Sequence, residues 1–317
     1  MGLLSFRNRS SVSSSEKRTD RLLASFLRDF SIEVIPRTAD KVDSFRDLLP
    51  TGTRVYIAHL DGTPIDDMVS TARRLSDEGF AVMPHFPARL IKNRGELAEW
   101  IARYQGDAGV SQGLLIGGGA SAPVGEFGDT LQMLETGLFD GFEHLHIAGH
   151  PEGNRDIDPD GSDEMLMQAL RWKQAFLDRT DARVAITTQF CFEAEPVIAW
   201  ADRLAEEGIG LPIHIGLAGP AQLHTLIKYA LACGVGPSLR VLQRRARDVT
   251  KLLVPYEPTE LLMELAAHKQ RHPDFGIERV HFFPLGGIHA NAEWVAEHSG
   301  GADRPATLKH DRTEVTS

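Results

Sequence analysis

Phe30-Ser31-Ile32-Glu33-Val34-Ile35-Pro36 is a short β-type run with a carboxylate set among apolar residues and a proline at its end. Ala81-Val82-Met83-Pro84-His85, His144-Leu145-His146-Ile147-Ala148-Gly149-His150-Pro151-Glu152 and Val184-Ala185-Ile186-Thr187-Thr188-Gln189-Phe190 repeat the design. Each reads as a β-type run, and several stop at a residue able to do chemistry. Between them lie amphipathic stretches of helical length. Asp66 to Glu78 places Met68, Val69, Ala72 and Leu75 on one face, and Asp163 to Asp178 does the same with Met165, Leu166, Ala169, Leu170 and Phe176. Pro196 to Glu207 opens near a proline and stops before Gly208.

Counted outward from the first run, eight strands are expected at about 30–35, 54–58, 80–84, 113–117, 143–148, 183–188, 211–216 and 279–284. Eight strands alternating with helices predict a single (β/α)8 TIM barrel of the α/β class. A long helix-rich insertion, about 220–275, falls between strands seven and eight. Residues 1–18 read as a flexible arm rich in Ser and Arg, 19–297 as the catalytic barrel, and 298–317 as a flexible tail. Such a barrel gathers its strand ends on one face, so an enzyme is the expected class.

Composition narrows the partners. The chain has 317 residues, 42% of them hydrophobic, and a net charge of −10. That charge speaks against nucleic acid and against anionic membranes. Cys191 and Cys233 are the two cysteines, too few for a disulfide framework or a thiolate metal site. No apolar run approaches a membrane span and the first residues make no signal peptide, so a cytoplasmic location is expected. The insertion could offer an apolar face to a second copy, which makes a homo-oligomer one expected arrangement.

Several side chains invite chemistry. Glu33 in an apolar strand must be paired with an arginine, as in a structural salt bridge, or kept protonated as a proton donor with its pKa raised by burial. Gly117-Gly118-Gly119-Ala120 after the fourth strand is a turn that a phosphate or planar ring can approach closely, though an ordinary tight turn reads the same way. His85, His150, His214 and His281 lie in or at the ends of strands, and His144 and His146 share one strand face. Metal-dependent barrel hydrolases use such histidines for zinc, which is the competing class; here the pair lies towards the start of its strand, so core or pocket-wall roles are expected and no metal. Gln189 offers an amide edge to a pterin or simply caps a turn. Phe190 or Phe192 could stack on a ring or belong to the core.

Taken together, these segments resemble the methylenetetrahydrofolate reductase family over about residues 30–295. The resemblance lies in Phe30-Ser31-Ile32-Glu33-Val34-Ile35-Pro36, Pro84-His85-Phe86-Pro87-Ala88-Arg89, Gly149-His150-Pro151-Glu152-Gly153 and Thr188-Gln189-Phe190-Cys191-Phe192. Gly216-Leu217-Ala218-Gly219-Pro220-Ala221, Cys233-Gly234-Val235 and His281-Phe282-Phe283-Pro284-Leu285-Gly286-Gly287 resemble its short, barrel-only bacterial form.

The resemblance implies FAD at the strand ends, reduction by NADH or NADPH, and hydride transfer to 5,10-methylenetetrahydrofolate in a ping-pong sequence. It implies Glu33 as general acid, Gln189, Phe190 and Phe192 around the folate, and His85, Gly117, Gly118, Gly119, Ala120, His150, Glu152 and Lys173 around the cofactor. The chain departs from the family where Gly119 replaces an aspartate near the flavin, Asn154 a histidine and Ala58 a threonine. Direct hydride transfer from NADH, without flavin, is the alternative those departures open. A barrel that binds folate or flavin without turnover is a further one.

Overall fold

The computed structural model describes residues 21–232, 236–246 and 254–299. Residues 1–18, most of the expected tail and Cys233 lie outside the described residues. Eight parallel strands close a barrel in sequence order: β1 (Ser31–Val34), β2 (Arg54–Ile57), β3 (Ala81–Pro87), β4 (Gln112–Ile116), β5 (His144–Gly149), β6 (Arg183–Cys191), β7 (Ile213–Ala218) and β8 (Ile277–Phe283). β1 pairs with both β2 and β8, which closes the cylinder. All eight expected strands are present, and the (β/α)8 TIM barrel is the fold.

The main helices between the strands are α1 (Ile65–Asp77), α2 (Arg94–Ala108), α3 (Thr130–Glu135), α4 (Glu164–Phe176) and α5 (Ala194–Glu206). Their limits are written in local chemistry. Asn93 accepts the Glu96 amide at the start of α2, and Gly109, at φ 62°, ends it in the left-handed conformation. Asp158 accepts the amides of Met165 and Leu166 in the first turn of α4 at 2.9 and 3.0 Å.

Strand alternation sorts the side chains. Ile32, Val34, Val55, Ile57, Val82, Phe86, Leu115, Leu145, Ile147, Ile215, Leu217, Val280 and Phe282 face outward and join the helices in the main apolar core. Inside the barrel the apolar cluster is small: Tyr56, Met83 and Leu114, with Ile116 packed against it. Ser31, Glu33, His85, His146, Thr187, His214 and His281 are polar inward positions, and they build the site.

Beyond β7 the chain forms α6 (Leu223–Ala232), α7 (Gly236–Ala246) and α8 (Thr259–Arg271), and α9 (Ile288–His298) follows β8. The expected insertion was drawn too wide. Leu261, Leu262 and Leu265 of α8 belong to the main core, so α8 is the regular barrel helix before β8. The excursion proper is closed at its base by Ala221 and Tyr256, whose backbones exchange hydrogen bonds of 3.1 and 2.9 Å. Among the described residues no helix is long and apolar enough to cross a membrane.

Candidate functional site

Glu33 is the third residue of β1, directly above the inward-facing Ser31. Its Oε2 lies 3.1 Å from His85 Nε2 on β3 and 3.8 Å from His281 Nε2 on β8. Neither expected state of Glu33 is found: its partners are two imidazoles, not an arginine, and its pKa is not raised. Burial pushes the carboxyl up, but attraction to His85 and hydrogen bonding to both histidines outweigh it and hold the pKa near 2. That balance favours the charged carboxylate. His85 therefore serves the carboxylate as well as the strand end where a cofactor was expected.

Beneath Glu33 the barrel axis is filled by a polar column. Ser31 Oγ is 3.0 Å from His281 Nδ1. The Tyr56 hydroxyl is 2.7 Å from His146 Nδ1 and 3.2 Å from Thr187 Oγ1, and those two are 2.9 Å apart. The rings of Tyr56 and His281 sit 4.3 Å apart, and His146 meets His214 edge to face at 4.5 Å. Burial holds His146 and His214 well below the usual histidine range, with their cationic neighbours acting in the same direction. They are neutral core groups, and burial raises Tyr56 to about 12. Sequence reading missed Ser31, Tyr56 and Thr187; each is a polar inward position on an alternating strand, and that was the available signal.

The glycine turn after β4 is pinned from β3. The Arg89 amide donates to Gly117 O at 2.9 Å, and its guanidinium donates to Ala120 O and Gly128 O, both at 3.2 Å. Gly118, at φ 91°, packs its Cα side on Pro87, whereas a side chain at Gly117 or Gly119 would meet open space. That side of the turn is therefore open at Gly117 and Gly119. Arg89 is the anchor that sequence reading did not single out.

Lys173 is buried in α4 and makes no hydrogen bond or ion pair among the described residues. Burial lowers its pKa to about 8, Asp129 opposing the effect. His150, past the end of β5, is lowered to about 4 by burial and by Lys173. The two residues lie near enough for the charge of Lys173 to act on His150. Glu152 does not join them: both its oxygens are taken by Ser238 of α7.

Gln189 is exposed at the end of β6. A register shift between Thr187 and Phe190 separates it from the regular ladder, with Thr188 Oγ1 accepting the Gly216 amide at 2.8 Å. Phe190 and Phe192 are instead buried with Ala218, Leu226 and Tyr256 under the insertion. Their rings are core, not an open stacking face. Among the described residues no group of three or more His, Cys, Asp or Glu is arranged to hold a metal. His146 Nδ1, for one, is already engaged by Tyr56 and Thr187.

No family model matches the chain. An uncharacterized protein from Clostridium thermocellum that binds two copies of 5-methyl-5,6,7,8-tetrahydrofolic acid is similar in structure, with a TM-score of 0.57 and 11% identity over 89% of this chain and 99% of that one. At that identity the likeness shows the barrel fold alone. The catalytic domain of a mannanase from Streptomyces sp. SirexAA-E aligns with a TM-score of 0.46 and 12% identity over 89% of this chain and 86% of that one.

Proposed function

We propose that this chain is an oxidoreductase that reduces 5,10-methylenetetrahydrofolate to 5-methyltetrahydrofolate with NADH or NADPH, through bound FAD in a ping-pong sequence. The observation that carries the reading is Glu33, an acid–base group held between His85 and His281 at the strand ends. It stands in strand runs that resemble the methylenetetrahydrofolate reductase family. The methyltetrahydrofolate bound by the Clostridium thermocellum barrel supports the same ligand class.

The residues present fit a flavin dinucleotide at two points. Lys173 is a buried ammonium without an anionic partner in contact, which a phosphate would supply, and the open space over Gly117 and Gly119 admits a planar ring. When bound, the flavin supplies the hydride store between nicotinamide and folate. Gln189 presents an amide donor and acceptor to the pterin edge. Opening the methylene bridge to an iminium needs a proton on the departing nitrogen. Glu33 is anionic at rest, so it must first take up a proton from solvent through its histidine contacts and then pass it to that nitrogen, after which the hydride reaches the one-carbon carbon.

Gly119 favours one second reading. Without a carboxylate beside the ring, direct transfer from NADH to the folate is the competing route. An absorbance spectrum of the purified protein, before and after anaerobic NADH, separates the two. Flavin bands that bleach with NADH support the ping-pong route. A colourless protein that oxidises NADH on addition of methylenetetrahydrofolate supports direct transfer. NADH left unoxidised with folate and FAD both supplied would overturn the reductase reading.

A further inference from the structure

His281 has two nitrogens with different neighbours, and those neighbours decide where its proton sits. Nδ1 is 3.0 Å from Ser31 Oγ; Nε2 is fully buried, makes no hydrogen bond among the described residues, and faces Glu33 Oε2 at 3.8 Å. A neutral imidazole carries one proton. On Nδ1, it would turn the Nε2 lone pair towards a carboxylate, two acceptors face to face in a dry site. On Nε2, it lets the Ser31 hydroxyl donate to Nδ1 and points an N–H at the anion. The column holds this choice in place, because the ring of the fully buried Tyr56 lies against His281 and its hydroxyl is tied to His146.

We infer that His281 is a positioning residue for Glu33: Ser31 fixes it as the Nε2–H tautomer, and that N–H faces Oε2, the oxygen His85 also addresses, so that their joint attraction orients the carboxylate and leaves Oε1 to the substrate. The inference rests on the reading of Glu33 as the proton-handling group. The groups facing Glu33 are His85 from β3, His281 from β8 and the neutral Tyr56 from β2. Of these, the two histidines hold the carboxylate in its charged form.

Two experiments test it. Nitrogen-15 NMR of histidine-labelled protein reads the tautomer directly, without any assay of turnover. His281 should show a protonated Nε2 and an unprotonated Nδ1, and Ser31→Ala should mix the two forms. A protonated Nδ1 in the wild type overturns the inference. The second readout is the pH profile of folate-dependent NADH oxidation in His281→Ala and His281→Gln. The alanine variant should lower kcat with KM for folate little changed, and move the acidic limb upward by about one pH unit. The glutamine variant, with an amide N–H near the place of Nε2, should restore much of both. Equal losses in the two variants with an unmoved limb would overturn the positioning role. The expected tautomer in a protein that turns over no folate would overturn the reductase reading and leave the clamp standing.

Discussion

Both carboxylate oxygens of Glu152 are committed to Ser238: Oε1 accepts from the hydroxyl at 2.6 Å and Oε2 from the amide at 2.9 Å. Glu152 follows β5, whereas Ser238 lies in the first turn of α7, so the contact ties the strand-end face to the insertion. An anion is well placed at a helix start, where amides lack intrahelical partners.

Glu152→Ala should therefore loosen α7 before it touches the barrel. The expected cost is about 1–2 kcal/mol, the range of a lost capping side chain. Hydrogen exchange should quicken across 236–246 while β5 stays protected. Ser238→Ala, which keeps the amide contact, should show a smaller change in the same segment. Unchanged exchange in both variants would remove the latch.

Lys173 makes the opposite kind of prediction. Its folded pKa is depressed, from 10.5 to about 8, so the fold disfavours the ammonium. The sign follows: stability is greatest above about 10.5 and is lost as pH falls through about 8. Lys173→Met should remove that slope and raise the melting temperature of the ligand-free protein at pH 7. If Lys173 holds a dinucleotide phosphate as proposed, the same variant should also bind the dinucleotide more weakly. A variant less stable than wild type at pH 7 would mean that Lys173 has a compensating partner after all.

These two residues show how unevenly a sequence reports a site. The strands were legible because each is an apolar run with a fixed period, and Glu33 stood out because a carboxylate is costly in such a run. Its partners were not legible. His85 and His281 reach it from β3 and β8, and only barrel closure brings those strands beside β1. The family resemblance placed Glu152 beside a cofactor, yet nothing local in the sequence links it to Ser238. Sequence left open whether Phe190 and Phe192 stack on a ligand or join the core, because the irregular pairing after Thr187 changes which side chains face inward.

Tyr56 should be the costliest hydroxyl to lose. It is fully buried, and its oxygen serves both His146 Nδ1 and Thr187 Oγ1. Tyr56→Phe keeps the ring against His281 but leaves those two atoms with one another alone. The expected loss is about 1–3 kcal/mol, measured by urea denaturation. Thr187→Val in the Tyr56→Phe background should cost less than the sum of the two, since the three atoms form one network. Strict additivity would show that the hydroxyl acts alone.

Glu33 links stability to the proposed activity. Its folded pKa, near 2, lies below the ordinary value of 4.5, so its contribution is complete above about 4.5 and is lost as pH falls towards 2. Glu33→Gln removes the charge that His85 and His281 address while keeping the shape. The variant should lose less stability than wild type on acidification across that window, and the difference is expected on the order of a few kcal/mol. Under the proposed reading turnover should fall by roughly 10²–10⁴-fold, the usual weight of a group that handles a proton in the transition state, whereas folate affinity should survive if Gln189 carries the recognition proposed for it. Parallel acid-unfolding curves would mean the histidines do not hold the carboxylate down. An unchanged folate-dependent rate would remove Glu33 from proton transfer, and a lost affinity with an intact rate per bound folate would move it to recognition.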